Sequence, residues 1–278
     1  MKDFGSVSAA AAAPLAVTQH GPIDRLLIDS PANRNALSIA LMEAAIEAVE
    51  QSARRHARVL VIDHTGDVFS AGVDLKERLA LKDQPQRHSE LLGRLLATLW
   101  AYPAPVVCRV AGRVRGGGVG LVACSDIVVC SASADFAFSE VRVGVAPALV
   151  GSFSLVGIGS RALKPCLLTG ESFGAEVALR LGLITRVATD PGTDITPELR
   201  ALLKGAPGGQ QTTKRLVRQL AGESPEQGVA AMQQLSAELF ATAEAAEGMT
   251  AFREKRAPAW AMDGEAHLRS LPGSGSSA

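Results

Sequence analysis

Twice in this chain a run of β-branched residues leads through small residues into the start of a helix. Val59-Leu-Val-Ile62 is followed by Val68-Phe-Ser-Ala-Gly-Val-Asp-Leu-Lys-Glu77, and Val106-Val-Cys-Arg-Val110 by Arg115-Gly-Gly-Gly-Val-Gly120. Each reads as a strand, a loop and a helix N-terminus. Strands alternating with helices call for an α/β fold with parallel pairing. The same unit constrains the chemistry. A helix N-terminus exposes unpaired N–H groups and carries partial positive charge, and two such ends facing one point can hold an oxygen that becomes negative. Three consecutive glycines and a fourth at Gly120 weaken any regular element. Either a close backbone approach to a ligand or a tight packing contact compensates for that. Taken alone, the pattern also describes ordinary turn glycines.

Around these blocks, Ala16 to Asp29 reads as two short strands about a His20-Gly21-Pro22 turn. Ser38 is a candidate N-cap for a helix from Ile39 to Arg55, and Arg58 to His64 is a buried strand. Thr65 to Gly72 reads as a loop, Val73 to Leu81 as a helix, and Ser89 to Ala101 as a helix stopped by Pro103 and Pro105. A short helix is expected near Val119 to Cys124, then strands over Asp126 to Ser131 and Phe136 to Phe138. Gly182 ends a helix over Glu176 to Leu181. From Pro197 to Ala261 there is little strand signal. The expected division is a mobile tail (1–14), a core (15–196), a helical C-terminal region (197–262) and a second mobile tail (263–278).

Lys plus Arg and Asp plus Glu both number 28 in 278 residues, with no block of like charge. This speaks against nucleic acid as a partner. No run of about eighteen apolar residues suggests a membrane span. The first residues carry an early Asp3 and lack an apolar signal-peptide core, so a cytoplasmic protein is expected. Cys108, Cys124, Cys130 and Cys166 stand singly among apolar residues and read as small buried side chains in a reducing compartment, with no metal site. The five histidines lack recognisable triad partners and read as surface or structural.

The segment Phe69-Ser-Ala-Gly-Val-Asp-Leu-Lys-Glu77 resembles the Phe-x-Ala-Gly-x-Asp-Leu-Lys-Glu motif of the enoyl-CoA hydratase/isomerase (crotonase) superfamily. Val110-Ala-Gly-Arg-Val-Arg-Gly-Gly-Gly-Val-Gly-Leu-Val-Ala-Cys-Ser-Asp126 resembles its second signature. Asn35-Ala-Leu37, Leu168-Thr-Gly170, Gly182-Leu-Ile184 and Phe252-Arg-Glu-Lys-Arg-Ala-Pro258 match further landmarks in order. The resemblance implies a spiral of ββα units with a C-terminal helical trimerisation region, assembled as a homotrimer or a hexamer. It implies acyl-CoA thioesters as substrates, with no separate cofactor and no metal. By position it makes the N–H groups of Val73 and Gly117 the oxyanion donors. It places Arg34, Ala36, Ala71, Asp74, Leu75, Gly116 and Gly120 around the substrate. Phe252 and Lys255 reach CoA from the C-terminal region of the same or a neighbouring subunit.

Typical hydratases of this superfamily carry two glutamates around the reacting water. The first follows the glycine run in a Gly-Gly-Gly-x-Glu pattern, where this chain has Gly120. The second is kept, in Phe136-Ala-Phe-Ser-Glu140 before Gly144-Val-Ala-Pro147. Glu140 is thus the one candidate acid/base. One carboxylate suffices for hydration if it takes a proton from water and returns it to Cα, and equally for a 1,3-proton shift. The glycine substitution is similar to that of bacterial hydratases of carboxylated, branched enoyl-CoAs such as methylglutaconyl-CoA hydratase. Arg142 then either meets a distal substrate carboxylate or packs on, or pairs with, Glu140. The expected function is enoyl-CoA hydration; the alternatives are isomerisation on the same scaffold and acyl-CoA binding without turnover.

Overall fold

A computed structural model describes residues 13–81, 84, 86–189, 192–220, 225–261 and 268. The chain opens on a hairpin, β1 (Leu15–His20) and β2 (Ile23–Ile28), and then α1 (Ile39–Arg54). Ser38 caps α1 as expected, its Oγ accepting from the Leu41 N–H at 3.2 Å. There follow β3 (Val59–His64), β4 (Val68–Ser70), α2 (Leu75–Ala80) and α3 (Arg87–Ala101). The second pass gives β5 (Val106–Val110), β6 (Arg113–Arg115) and α4 (Gly117–Ala123). The third gives β7 (Ile127–Ser131), β8 (Asp135–Ala137), a 3-10 helix (Ser139–Val143), α5 (Ala148–Ile158) and α6 (Ser160–Thr169). Next come β9 (Phe173–Gly174), α7 (Ala175–Leu181), capped by Gly182, and β10 (Arg186–Ala188). The C-terminal part is helical: α8 (Thr196–Lys204), α9 (Pro207–Leu220), α10 (Pro225–Phe240) and α11 (Ala243–Glu254).

Each pass sends a long strand into one sheet and a short strand into another before its helix. The six-stranded sheet runs β1-β2-β3-β5-β7-β10, parallel from β2 onward. The four-stranded sheet runs β4-β6-β8-β9, with only β9 antiparallel. The structure is therefore the expected α/β spiral of ββα units. All six residues of β3 are buried, as a parallel strand covered on both faces requires. Leu60 and Ile62 join the main core with Leu41, Ile46, Leu95 and Leu99 of α1 and α3. Val59 and Val61, on the other face, pack with Ile23, Val107, Leu199 and Leu203 beneath α8.

The structure corrects four local readings. The stretch read as a loop from Thr65 to Gly72 contains β4, and β6 lies inside the glycine segment. The short strands β9 and β10 add to these. Two or three residues carry no readable period, so such strands exist through pairing. Helix α4 starts at Gly117 rather than near Val119. Cys108, Cys124 and Cys130 are buried, whereas Cys166 is half-buried; all four are free. The tails expected to be mobile fall almost wholly outside the described residues. Among the described residues no helix is long and apolar enough to cross a membrane, and no cluster of three metal-ligating side chains occurs.

Candidate active site

The two glycine loops meet. After β4, Ala71 to Asp74 is laced to the loop before α1: the Ala71 N–H donates to Arg34 O at 3.0 Å, Leu37 N–H to Gly72 O at 2.7 Å and Asp74 N–H to Leu37 O at 3.3 Å. Arg34 and Asn35 both hold positive φ (60° and 53°). Asn35, fully buried, keeps this turn in shape. Its Oδ1 accepts from the Ser30 N–H at 2.8 Å, and its Nδ2 donates to Thr65 O and Val68 O at 2.9 and 2.8 Å. Gly72 takes φ +84°, and an ideal Cβ there would lie 3.0 Å from Arg115 O and 3.4 Å from the Gly117 nitrogen. Only glycine permits that backbone-to-backbone approach.

The lacing leaves two donors over. In the bridge between Leu37 and Val73, the bonds run through Gly72 O and Asp74 N–H, so the Val73 N–H faces the other side. Gly117 is the first residue of α4, where an N–H has no partner within its helix. Among the described residues neither N–H has an acceptor. Gly116, before it, is tied by its own N–H to Ala137 O at 3.0 Å and sits at φ +46°, ψ −119°.

Glu140 lies against this helix start, in the first turn of the 3-10 helix that Gly144 closes at φ +82°. An ideal Cβ on Gly116 would be 3.4 Å from Glu140 Oε1, 3.6 Å from its Cδ and 3.8 Å from Ser139 Oγ. Burial pushes the Glu140 carboxyl above its ordinary value, with its own backbone N–H opposing that shift. Its Oε2 is buried with no hydrogen-bond partner. A half-buried carboxylate with a free oxygen, beside a helix start with an unpaired N–H, is an arrangement that can move a proton next to a point able to hold a negative oxygen.

The remaining glycines serve packing. An ideal Cβ on Gly117 would meet Leu37 Cδ1 at 2.9 Å, and one on Gly118 would meet Ser70 Cβ at 2.8 Å. One on Gly120 would meet both δ carbons of Leu96 at 3.0 Å and Val150 Cγ2 at 3.5 Å. Gly120 is thus the point where α4 seats against α3 and α5, and its open side faces hydrocarbon.

Of the other expected site residues, Ala36 is buried in the laced turn, Arg34 is exposed, and Asp74 caps α2 by accepting from the Lys76 and Glu77 N–H groups at 3.0 and 3.1 Å. Leu75 is half exposed beside it. Arg142 does not pair with Glu140: its Nε donates to Thr169 O at 3.3 Å and its Cγ packs beside Gly170. Phe252, on α11, is 87% exposed, and Lys255 closes that helix at φ +55°. Within one chain neither side chain hydrogen-bonds to the rest of the described molecule. Nothing in Asn35-Ala-Leu37 itself marks Asn35 as a hub. Glu77 is equally unmarked in the sequence; its Oε2 accepts from Ile39 N–H at 2.9 Å and lies 2.8 Å from Nε2 of buried His88. That contact joins α1, α2 and α3. His64 is structural as expected: the Ala111 N–H donates to its Nε2 at 2.9 Å, and burial lowers its pKa. A cavity of about 500 Å³ between α4, α5 and α9, lined by Trp100, Phe153 and Val217, contains none of Val73, Gly117 or Glu140.

Comparison with known proteins agrees with this architecture. The family model described as enoyl-CoA hydratase/isomerase matches residues 19–263. The chain is 31% identical to 2,3-dehydroadipyl-CoA hydratase of Escherichia coli, covering 88% of this chain and 97% of that protein. It is 32% identical to carnitinyl-CoA dehydratase of Salmonella arizonae, over 88% and 97%. The crystal structure of an enoyl-CoA hydratase from Shewanella pealeana superposes with a TM-score of 0.83 at 30% identity, covering 89% of this chain and 96% of that one. This chain belongs to the enoyl-CoA hydratase/isomerase family.

Proposed function

We propose that the protein hydrates the 2,3 double bond of an enoyl-CoA thioester with Glu140 as its one acid/base. The observation that carries this is the Glu140 carboxylate: half-buried, one oxygen unpartnered, and packed against the glycine that precedes the free Gly117 N–H. The thioester oxygen accepts from the Val73 and Gly117 N–H groups. Glu140 takes a proton from water as its oxygen bonds Cβ, the π electrons move toward the thioester, and the N–H pair stabilises the enolate. Glu140 then returns the proton to Cα. Arg34, Ala36, Ala71, Asp74 and Leu75 line the CoA side in this reading. Phe252 and Lys255, exposed here, meet CoA across a subunit boundary in a trimer or hexamer. No cofactor beyond the substrate's own CoA takes part.

One observation favours a second reading. The open side of Gly120 faces Leu96 and Val150, so nothing there holds water, and a lone carboxylate moving a proton between Cα and Cγ makes an isomerase. Absorbance of the enoyl-thioester band separates the two. Loss of the band from crotonyl-CoA with the unaltered protein and not with Glu140→Gln supports hydration. No loss there, with a gain of the band from a 3-enoyl-CoA, supports isomerisation. Binding of acyl-CoA with neither change leaves a carrier.

A further inference from the structure

A water that adds to a double bond has to be aimed, and one carboxylate oxygen fixes only one of its hydrogens. The place where a second acid is missing from the sequence is closed: the three atoms nearest an ideal Cβ on Gly120 are carbons of Leu96 and Val150. A second polar group must therefore come from elsewhere. Gly116 shows where. The atoms nearest its missing side chain are Glu140 Oε1, Glu140 Cδ and, at 3.8 Å, Ser139 Oγ. Ser139 and Glu140 are consecutive in the first turn of the 3-10 helix, and both side chains border this spot. The Ser139 hydroxyl does not cap that helix: its N-cap is Phe138 and carries no side-chain bond. Among the described residues no hydrogen bond uses Ser139 Oγ, and the other oxygen of the Glu140 carboxylate, Oε2, has no partner.

We propose that the Ser139 hydroxyl is the second group holding the water that Glu140 deprotonates. This rests on the hydratase reading above. The water oxygen forms a bond to Cβ while one of its O–H bonds breaks, the proton passing to Glu140. Ser139 Oγ accepts the other water hydrogen and keeps its own proton. The double-bond electrons pass to the thioester oxygen, and protonation of Cα by Glu140 restores the carbonyl. One H and one OH are added, and Ser139 ends as it began.

Two reactions separate this role from a merely structural one. Exchange of the Cα hydrogens of butyryl-CoA in D₂O requires Glu140 and the oxyanion donors but no attacking water; hydration of crotonyl-CoA requires all of them. Ser139→Ala is expected to lower kcat for hydration about 100-fold, with KM and the exchange rate changed less than about threefold and Ser139→Thr recovering part of the loss. Equal losses in both reactions would mean that Ser139 acts only through Glu140 or the fold, and overturn the proposal. So would hydration by Ser139→Ala at the unaltered rate. If the unaltered protein exchanges Cα hydrogens but hydrates nothing, the hydratase reading itself fails and takes this role with it.

Discussion

The Glu140 carboxylate packs against the Cα of Gly116, with Oε1 3.4 Å from where a Cβ on that glycine would stand. The glycine is needed for its backbone: φ +46° with ψ −119° is a conformation that L side chains avoid. A Cβ in that place would only touch Glu140 and Ser139 at ordinary contact distance, so what the glycine secures is the path of the backbone into Gly117.

Gly116→Ala is accordingly expected to lose turnover far out of proportion to stability. The backbone strain costs about 1–3 kcal/mol, seen as a Tm lowered by about 2–4 °C per kcal/mol. Relaxation of the strained backbone moves the adjoining Gly117 N–H, which lowers kcat about 100-fold. Thermal unfolding and crotonyl-CoA kinetics on the same preparation check this. A variant with full turnover would show that the Gly117 N–H keeps its place without this glycine.

Glu140 links pH to both activity and stability. Burial raises its carboxyl above the ordinary 4.5, so the folded chain holds this proton more tightly than the unfolded chain. The stabilisation from that proton is present in full below about pH 4.5. It is lost as pH rises through the raised folded value. Glu140→Gln removes the loss, so this variant should be inactive yet at neutral pH at least as stable as the unaltered protein. The rate of the unaltered protein should fall as pH drops through the raised value, because the base becomes protonated. Melting curves at pH 5 and pH 8, with a pH–rate profile, measure both effects. A Glu140→Gln variant less stable at pH 8 would show that the carboxylate is held by partners rather than desolvated.

These effects also indicate how much was readable in the residues alone. Ser38 as a cap, Gly182 as a stop and the two glycine loops were legible because each is a local demand on backbone or hydrogen bonding. The resemblance carried by Phe69 to Glu77 and Val110 to Asp126 points to the N–H groups of Val73 and Gly117. Strands β4 and β6 were not legible, since three residues become a strand only by pairing with neighbours such as Val68 with Arg113. Asn35 was opaque for the same reason: the carbonyls it holds, Thr65 O and Val68 O, lie thirty or more residues away. Arg142 stands two residues from Glu140 in sequence, but its partner is the Thr169 carbonyl. The absence of an acid at Gly120 was plain in the sequence, whereas its replacement by Leu96 and Val150 is a tertiary fact.

That packing makes restoring the missing acid a test of the site. Gly120→Glu pushes a Cβ to 3.0 Å from both Leu96 δ carbons, and overpacking of this kind costs about 1–3 kcal/mol. A carboxylate buried there without a partner adds to the cost. The expected result is a lower Tm and no gain in hydration. Gly120→Glu with Leu96→Ala should recover part of the stability, because the clash is with that one side chain. A faster hydratase from the single substitution would mean that Leu96 yields and the position still opens on the substrate.

Helix α9 is tied to the core at Asp126 as well as by apolar packing, and this tie can be broken at one residue. Asp126 Oδ2 accepts from the Val106 N–H at 2.8 Å and from Lys214 Nζ at 2.6 Å; Lys214 also donates to Ala104 O at 2.9 Å. The Lys214 side chain is only 7% exposed. Burial lowers its pKa, and Asp126 opposes that shift. Arg218, one turn on, lies over the Trp100 ring at 4.1 Å. Asp126→Ala leaves the Lys214 cation buried with only the Ala104 carbonyl and the Tyr102 ring, 5.9 Å from its Nζ, and frees the Val106 N–H, a loss of about 3–5 kcal/mol. Asp126→Asn keeps an acceptor for both donors and should lose less. Denaturant unfolding of the three proteins gives the order, and limited proteolysis should cut first around α9 in Asp126→Ala. Equal stability of Asp126→Ala and the unaltered protein would mean that Lys214 reaches water once released, and that α9 is held by its apolar contacts instead.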